Sequence, residues 1–353
     1  MRRISKGVLL MMILSMVLSA CGNNNNKVET KPSPKVTASA SATADAKASP
    51  KTERDPVNFR IHSLKGPTTM GITKLMSDSE AGNTTDKYDV TIHGTADEIA
   101  AGIIKGDVDV ALIPCNLASV LYQKTKQNVK VAAINTLGVL YVVETGDSIK
   151  SVSDLKGKTI YATGKGTTPE YALNYVLTEN GIDPSKDVTI EYKSESTEVV
   201  AMLKNSDNAI AILPEPYVTT ASVKNDKIHT VINLSEEWNK VAKDGSSMVT
   251  AVTVVRKDFL DANKDAFNEF MEKYKESADW VNANVSDAAA LCEKYNIVSA
   301  AVATKAIPKC NITCITGDEM KSKLSGFLSV LNDANPKSIG GTLPDDNFYL
   351  ELK

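Results

Sequence analysis

The chain has 353 residues and a formal net charge of −3, with 24% charged and 42% hydrophobic residues. This composition is typical of a globular protein. A slightly acidic balance disfavours nucleic-acid binding, which usually depends on a strongly basic surface. We therefore expect no nucleic-acid partner.

The N-terminus has the pattern of an export signal. Cationic residues precede the apolar run Val8–Leu18, which is shorter than the roughly 20 residues of a membrane-spanning helix. This pattern predicts a signal peptide over residues 1–20. The sequence Leu18-Ser19-Ala20-Cys21 resembles the lipobox of bacterial lipoproteins. The resemblance implies that Cys21 carries a lipid and anchors the protein to the extracytoplasmic face of the cell membrane.

Residues 21–56 form a polar segment rich in Asn, Lys, Thr, Ser, Pro and Ala. Such a segment cannot bury enough apolar surface to fold. We predict that it is a flexible linker and that the folded part begins at Val57.

The most informative pattern is an internal repeat with an offset of 100 residues. Residues 97–116 resemble residues 197–216, and each copy has the pattern of an amphipathic helix, a polar turn and an apolar strand that ends in Pro. Upstream, a Lys-Gly-x-Thr turn occurs at residues 65–68 and again at residues 165–168. The repeat predicts two lobes of the same design, although chance similarity between turns of unrelated α/β units is an alternative explanation.

Short runs of Val, Ile and Ala predict strands that are buried on both faces. These strands are Val57–His62, Tyr88–Ile92, Val108–Ile113, Lys130–Ile134, Thr159–Ala162, Val188–Tyr192 and Ala209–Leu213. Residues 139–143 and Met248–Arg256 are predicted as strands at the two crossings between lobes. Apolar stripes predict later helices at Ala266–Val281, Ser286–Tyr295 and Met320–Leu331.

Alternating helices and strands favour parallel sheets. We predict an α/β fold of two similar lobes, with parallel-rich sheets, flanking helices and a cleft between the lobes. Lobe one comprises residues 57–143 and 249–353, and lobe two comprises residues 144–248.

In open α/β sheets, ligands bind beyond the carboxyl ends of the strands. The two Lys-Gly-x-Thr turns lie at such ends, where Gly66 and Gly166 permit unusual backbone conformations. The Thr side chains can cap helices or bind a ligand, and helix N-termini attract anions. Two simple capped helices are the alternative, but the matched pair favours a cleft that holds a small oxyanion without a metal.

The segment Pro214-Glu215-Pro216-Tyr217 is a second unusual cluster. Its two prolines restrict the backbone around Glu215. We expect Glu215 to pair with a ligand amine or with a Lys of the opposite lobe, and Tyr217 to stack on the ligand or bond to it. A rigid turn with an exposed Glu is the alternative.

The sequence contains no Gly-x-Ser-x-Gly motif, Walker A loop or three-glycine dinucleotide motif,. We predict no enzymatic activity, no cofactor and no metal. Four cysteines are predicted to be mostly small buried apolar residues, and no pairing follows from their spacing. They are Cys115, Cys292, Cys310 and Cys314.

Residues 106–118, 151–177, 212–219 and 254–270 resemble a known family, the substrate-binding proteins of ABC importers for nitrate, sulfonates, taurine and thiamine precursors. The resemblance implies the periplasmic-binding-protein type II fold, with two lobes that close on one ligand. It implies a pocket formed by Gly66, Pro67, Thr68, Thr95, Asn116, Gly166, Thr167, Thr168 and Glu215. The neighbouring Lys65, Thr69, Lys165 and Tyr217 complete the predicted site.

The resemblance also implies the protein's partners: a small anionic, carboxylate or sulfonate ligand and the membrane permease of an ABC importer. We expect a monomer. A receptor for a thiamine pyrimidine or another small heterocycle is an alternative, as is a sensory or adhesion lipoprotein. An enzyme of related fold, such as a menaquinone-pathway dehydratase, is disfavoured because such enzymes are typically cytoplasmic and not lipidated.

Overall fold

The computed structural model describes residues 54–242 and 245–351. The predicted signal peptide, the lipidated Cys21 and nearly all of the predicted linker lie outside these residues. The first described residue, Arg54, belongs to the predicted linker and contacts the fold. The Arg54 guanidinium donates hydrogen bonds to the Asp86 carboxylate at 2.5 and 2.6 Å and to Glu269 at 2.9 Å.

Eleven strands form two sheets in the described residues. The strands are β1 Asn58–Leu64, β2 Lys87–His93, β3 Val110–Pro114, β4 Val129–Leu137, β5 Leu140–Glu144, β6 Thr159–Thr163, β7 Thr189–Lys193, β8 Ile210–Pro214, β9 His229–Asn233, β10 Val249–Arg256 and β11 Ile312–Ile315. The first sheet has the order β11-β4-β10-β3-β1-β2 and the second has the order β7-β6-β8-β5-β9.

Helices flank both sheets. They are α1 Pro67–Met70, α2 Thr73–Glu80, α3 Ala96–Lys105, α4 Cys115–Lys124, α5 Thr168–Glu179, α6 Ser196–Lys204, α7 Tyr217–Lys224, α8 Leu234–Val241, α9 Lys257–Ala262, α10 Lys264–Ala283, α11 Val285–Lys294, α12 Ala300–Ala306 and α13 Gly317–Ala334. We call the first sheet with α1–α4 and α9–α13 the first half, and the second sheet with α5–α8 the second half. No helix in the described ranges is both long and apolar enough to cross a bilayer.

The two halves share a common core topology. In the first sheet β1 is parallel to β2 and β3, and β3 pairs antiparallel with β10. In the second sheet β6 is parallel to β7 and β8, and β8 pairs antiparallel with β5. Strands β3 and β8 begin and end 100 residues apart, so the structure reproduces the repeat seen in the sequence.

The predicted α/β fold is confirmed, but the sheets are mixed rather than parallel-rich. The chain passes from β4 to β5 through only Gly138 and Val139, and β5 pairs with β8 and β9 of the second sheet. The first crossing therefore differs from the predicted boundary at residue 143. A two-residue link cannot place β5 parallel to β4, and β5 instead pairs antiparallel with β8 and β9 of the second sheet.

The sequence patterns missed β9 and β11. Both strands lie at sheet edges, next to a single neighbouring strand. Neither strand has the continuous apolar run that marks a strand buried on both faces. Only Ile232 is buried in β9 and only Ile312 is buried in β11.

The halves pack against each other on both sides of the crossings. Trp238 of α8 is fully buried between Tyr175 of α5 and Phe327 of α13, with ring centroids 4.3 and 5.1 Å away. On the other side, the Tyr141 hydroxyl donates to the carbonyl of Lys309 at 2.8 Å. The second crossing, at residues 248–249, lies beside the first, because a Cβ on Gly138 would meet the Cβ of Met248 at 2.8 Å.

Candidate functional site

A cavity of about 410 Å³ is lined by residues from both halves. Its volume lies within the range of about 300–1,000 Å³ that small-molecule sites occupy. The polar lining consists of Asp97, Asn116, Thr167, Thr168 and Thr250.

Most of the cavity wall is apolar. The two crossings contribute Val139, Leu140, Met248 and Val249, and α13 contributes Phe327. Strand ends and helix starts contribute Ala96, Pro114, Leu117, Pro169 and Pro214. A ligand here must therefore bury apolar surface as well as satisfy polar groups.

Three helices begin at the cavity. Ala96 and Asp97 open α3, Asn116 and Leu117 lie in the first turn of α4, and Thr168 opens α5. The first N–H groups of a helix have no partner within the helix and carry a partial positive charge. Three such ends around one cavity can hold an oxyanion without a metal ion.

Thr168 supplies the sharpest polar feature of the cavity. Its Oγ1 is buried, and no described atom forms a hydrogen bond with it. A buried hydroxyl without a partner costs about 1–3 kcal/mol. A ligand oxygen or nitrogen at this position would remove that cost.

Two neighbouring side chains are held by the protein itself. The Thr167 hydroxyl donates to the Gly164 carbonyl at 2.5 Å. The Asn116 amide nitrogen donates to the Ser338 carbonyl at 3.2 Å, while its amide oxygen accepts no hydrogen bond from the described residues. Asn116 therefore presents an acceptor from a fixed position.

The predicted turn of the first half does not line the cavity. The Thr69 hydroxyl donates to the Leu64 carbonyl at 2.6 Å and lies 2.7 Å from the Ser63 hydroxyl. Thr68 is buried, and α1 packs against β3, β4 and β11. Lys65, Gly66 and Pro67 complete this turn and are also absent from the cavity wall.

The matching turn of the second half reaches the cavity through its last two residues only. Thr167 and Thr168 line it, whereas Lys165 points its ammonium toward Tyr192, 5.8 Å from the ring centroid. Gly166 has a φ of +74°, as its predicted role in a tight turn requires, and its N–H donates to Glu170 at 2.5 Å.

Glu215 lies beneath the cavity rather than in its wall. It is 1% exposed and accepts hydrogen bonds from the Thr219 N–H at 3.2 Å and the Thr219 hydroxyl at 3.0 Å. Burial raises the pKa of this carboxyl, although Thr219 and Lys309, 4.0 Å away, act in the opposite direction. Tyr217 packs against the core of the second half, and Thr95 precedes α3 as its exposed N-cap.

Sequence reasoning found part of the cavity and missed the rest. Ligands of open α/β sheets bind beyond the carboxyl ends of the strands, and this indicated the turns at residues 94–98 and 114–116, which do reach the cavity. Phe327 and the crossing residues carry no local signal, because only the tertiary fold brings α13 and both crossings together.

The thiols give no sign of a reactive or metal-binding role. Cys115, Cys292 and Cys310 are buried, Cys314 is partly buried, and all four are unpaired. Burial raises the pKa of Cys115 to about 12, which keeps the thiol protonated at neutral pH.

One group outside the cavity brings potential metal ligands together. Side-chain atoms of Glu144, Asp147 and His229 lie within 4.8 Å of one another. The Glu144 carboxylate already accepts hydrogen bonds from Ser148 and from the Ile149 N–H. That no metal is bound stays a prediction from the sequence.

Residues 79–237 match the family model of the periplasmic substrate-binding proteins of phosphonate ABC transporters. This segment of the chain is similar to the substrate-binding domain of ABC transporters. The matched segment contains the starts of α3, α4 and α5, the three helices that open at the cavity. The predicted resemblance to ABC-importer binding proteins is confirmed.

Solved structures share the fold of this chain. An ABC transporter protein from Parabacteroides distasonis is 22% identical with a TM-score of 0.69, covering 85% of this chain and 100% of its own. The periplasmic aliphatic sulphonate binding protein SsuA from Escherichia coli is 15% identical with a TM-score of 0.66, covering 84% and 93% respectively. No curated protein sequence matches the chain.

Proposed function

We propose that this binding protein captures a small organic acid in the cavity between its two halves and presents it to the permease of an ABC importer. The acid would be a sulfonate, phosphonate or carboxylate. The observation that carries this proposal is that three helix starts line one cavity, and that Thr168 in this lining has an unpartnered hydroxyl. Free N–H groups and a free hydroxyl suit an oxyanion.

The cavity favours an organic acid over a bare inorganic anion. Nitrate would leave most of the 410 Å³ and its apolar walls unfilled. An apolar body next to the acidic group would cover Phe327, Leu117 and the crossing residues, at about 25 cal/mol for each Å² of apolar surface buried. The same walls suit a flat heterocycle, so a thiamine-pyrimidine type of ligand is the second candidate.

Receptor function suits the site better than catalysis does. Among the described residues that line the cavity, Asp97 is the only side chain that ionises. General acid–base or nucleophilic catalysis needs a positioned pair of such groups. We therefore propose a binding role without turnover.

Capture would require the halves to move as two lobes. The chain crosses between sheets only at residues 138–139 and 248–249 within the described residues, which suits a hinge. A ligand shifts such an equilibrium when it binds the closed state more tightly than the open state. We further propose that the protein acts as a monomer held to the extracytoplasmic face of the cell membrane by a lipid on Cys21.

A thermal-shift panel tests the proposal. The panel contains alkyl and aryl sulfonates, phosphonates, carboxylates, nitrate and a thiamine pyrimidine. We expect at least one organic acid to raise the melting temperature in a concentration-dependent way. A response to the pyrimidine alone would favour the second candidate, and no response to any compound would contradict a small-acid receptor.

A further inference from the structure

The one ionisable side chain in the described lining of the cavity is a carboxylate, although helix starts at the same cavity favour an anion,. Asp97 lines the cavity, and it forms no ion pair or hydrogen bond with any described residue. No Lys, Arg or His side chain is part of the described lining. A purely anionic ligand would therefore meet an unpaired negative charge of the same sign.

A carboxylate in the first turn of a helix often serves only to stabilise the helix. In the internal repeat, the start of α3 corresponds to the start of α6, so the acids of the two helix starts can be compared. Glu98 in the first turn of α3 has a counterpart in Glu198, in the first turn of α6, so both copies retain that acid. Asp97 has Thr197 as its counterpart, so the helix start does not require an acid at this position.

The difference between the copies coincides with the cavity. The start of α3 lines it through Ala96 and Asp97, whereas the described lining includes no residue of α6. The extra carboxylate therefore occurs in the copy whose helix start faces the cavity.

We infer that Asp97 is a specificity-determining residue that pairs with a positively charged amine of the ligand. The ligand class is then a zwitterion, with an acidic group at the helix starts and an amine at Asp97. An apolar chain or ring between them covers the apolar walls. This inference rests on the proposed function and narrows its substrate class.

Such a site discriminates strongly against an acid that lacks the amine. Hydrogen bonds between two charged groups are about twice as strong as neutral ones. When the partner is missing, binding buries Asp97 without compensation. Sites built around a polar partner reject the analogue that lacks it far more strongly than apolar pockets reject a missing methylene.

Matched probe pairs test the inference by calorimetric titration. One pair is 4-(aminomethyl)benzenesulfonate and 4-methylbenzenesulfonate, and the second pair is the corresponding phenylphosphonates. We expect the intact protein to bind the amine-bearing probe of at least one pair about tenfold or more tightly than its methyl analogue. Asp97→Asn should reduce this preference to within about twofold.

Asp265→Asn is the matched control. Asp265 is an exposed acid at the second position of α10, as Asp97 is in α3, and it lies outside the cavity. This variant should keep the full preference for the amine.

Equal affinity for both probes of each pair in the unaltered protein would overturn the inference, as would an amine preference that survives Asp97→Asn. Failure of all four probes to bind would also overturn it. The proposed function would be contradicted only if no acid in the thermal-shift panel raised the melting temperature. Failure of the inference about Asp97 can therefore be distinguished from failure of the proposed function.

Discussion

Thr168 shows how a single side chain links the fold to binding. It opens α5, lines the cavity and leaves its buried hydroxyl without a partner. Natural proteins pair most buried polar groups. An exception in the wall of a ligand cavity is best explained by a group that arrives with the ligand.

We predict that Thr168→Val will separate binding from stability. Valine keeps the shape of threonine but lacks the hydroxyl, so affinity for the acid found in the panel should fall about tenfold, or about 1.4 kcal/mol. The free energy of unfolding of the free protein should stay equal or rise, because an unpaired hydroxyl is lost. Titration calorimetry and urea unfolding measure the two quantities.

Thr178→Val, at an exposed position near the end of the same helix, is the control for a general effect on α5. It should leave the affinity unchanged. Full affinity in Thr168→Val would show that the hydroxyl does not contact the ligand.

We predict that Glu215 makes the stability of the folded protein depend on pH. Burial raises the pKa of its carboxyl above the usual value near 4.5. The folded state therefore favours the protonated form, and the stability that this gives is present at low pH and lost as the pH rises through the raised pKa.

Glu215→Gln should remove this pH dependence. Relative to the unaltered protein, the variant should gain stability as the pH rises from about 4.5 through the raised pKa, by about 1.4 kcal/mol for each unit of pKa shift,. Urea unfolding of both proteins across this range measures the difference. A difference that stays constant with pH would mean that Glu215 does not titrate as described.

At the scale of elements, the sequence predicted the central strands and two of the four edge strands in the described residues, β2 and β7, but not the edge strands β9 and β11. Strands β3 and β8 are short apolar runs buried on both faces, and their predicted ends lie within about two residues of the observed ones,. Strand β11 has no such run, since only Ile312 of its four residues is buried. Residues 139–143 were predicted to end lobe one, but β5 pairs with β8 and β9 of the second sheet. The pairing partners of a strand decide which sheet it joins, and the local sequence does not contain that information.

The crossing itself is an element with a tight steric requirement. A Cβ on Gly138 would meet the Met248 Cβ at 2.8 Å and would overlap the side chain of Ser235. The glycine is therefore needed for close approach of the two crossings, not for a left-handed backbone.

We predict that Gly138→Ala will destabilise the protein by about 1–3 kcal/mol, the usual cost of overpacking a filled interior. Denaturant unfolding measures the change. Gly94→Ala is the matched control, since nothing lies within 4 Å of a Cβ there. Equal stability of both variants would contradict the close contact between the crossings.

At the scale of the whole molecule, the repeat correctly indicated two related halves but misled on the site. Equivalent turns were expected to face each other across the cleft. In the structure only the second turn reaches the cavity, while the Thr69 hydroxyl of the first turn donates to the Leu64 carbonyl. The first half contributes the starts of α3 and α4 instead, so the duplicated fold has an asymmetric site.

This asymmetry also explains why ligand chemistry could not be derived from the repeat. Asp97 has a threonine as its counterpart, and Glu215 has Cys115. The residues that differ between copies at equivalent positions determine the charge of the cavity and of the core beneath it. The residues that the two copies share indicate the fold, but they do not indicate the residues that differ.

The proposed receptor function requires that a small organic acid binds between the starts of α3, α4 and α5. The most direct measurement is a crystal structure of the protein with the acid that gives the largest thermal shift. We predict electron density for the acid in this cavity, with an acidic oxygen within hydrogen-bond distance of the Thr168 hydroxyl. Density for the acid at any other site, with no acid in this cavity, would contradict it.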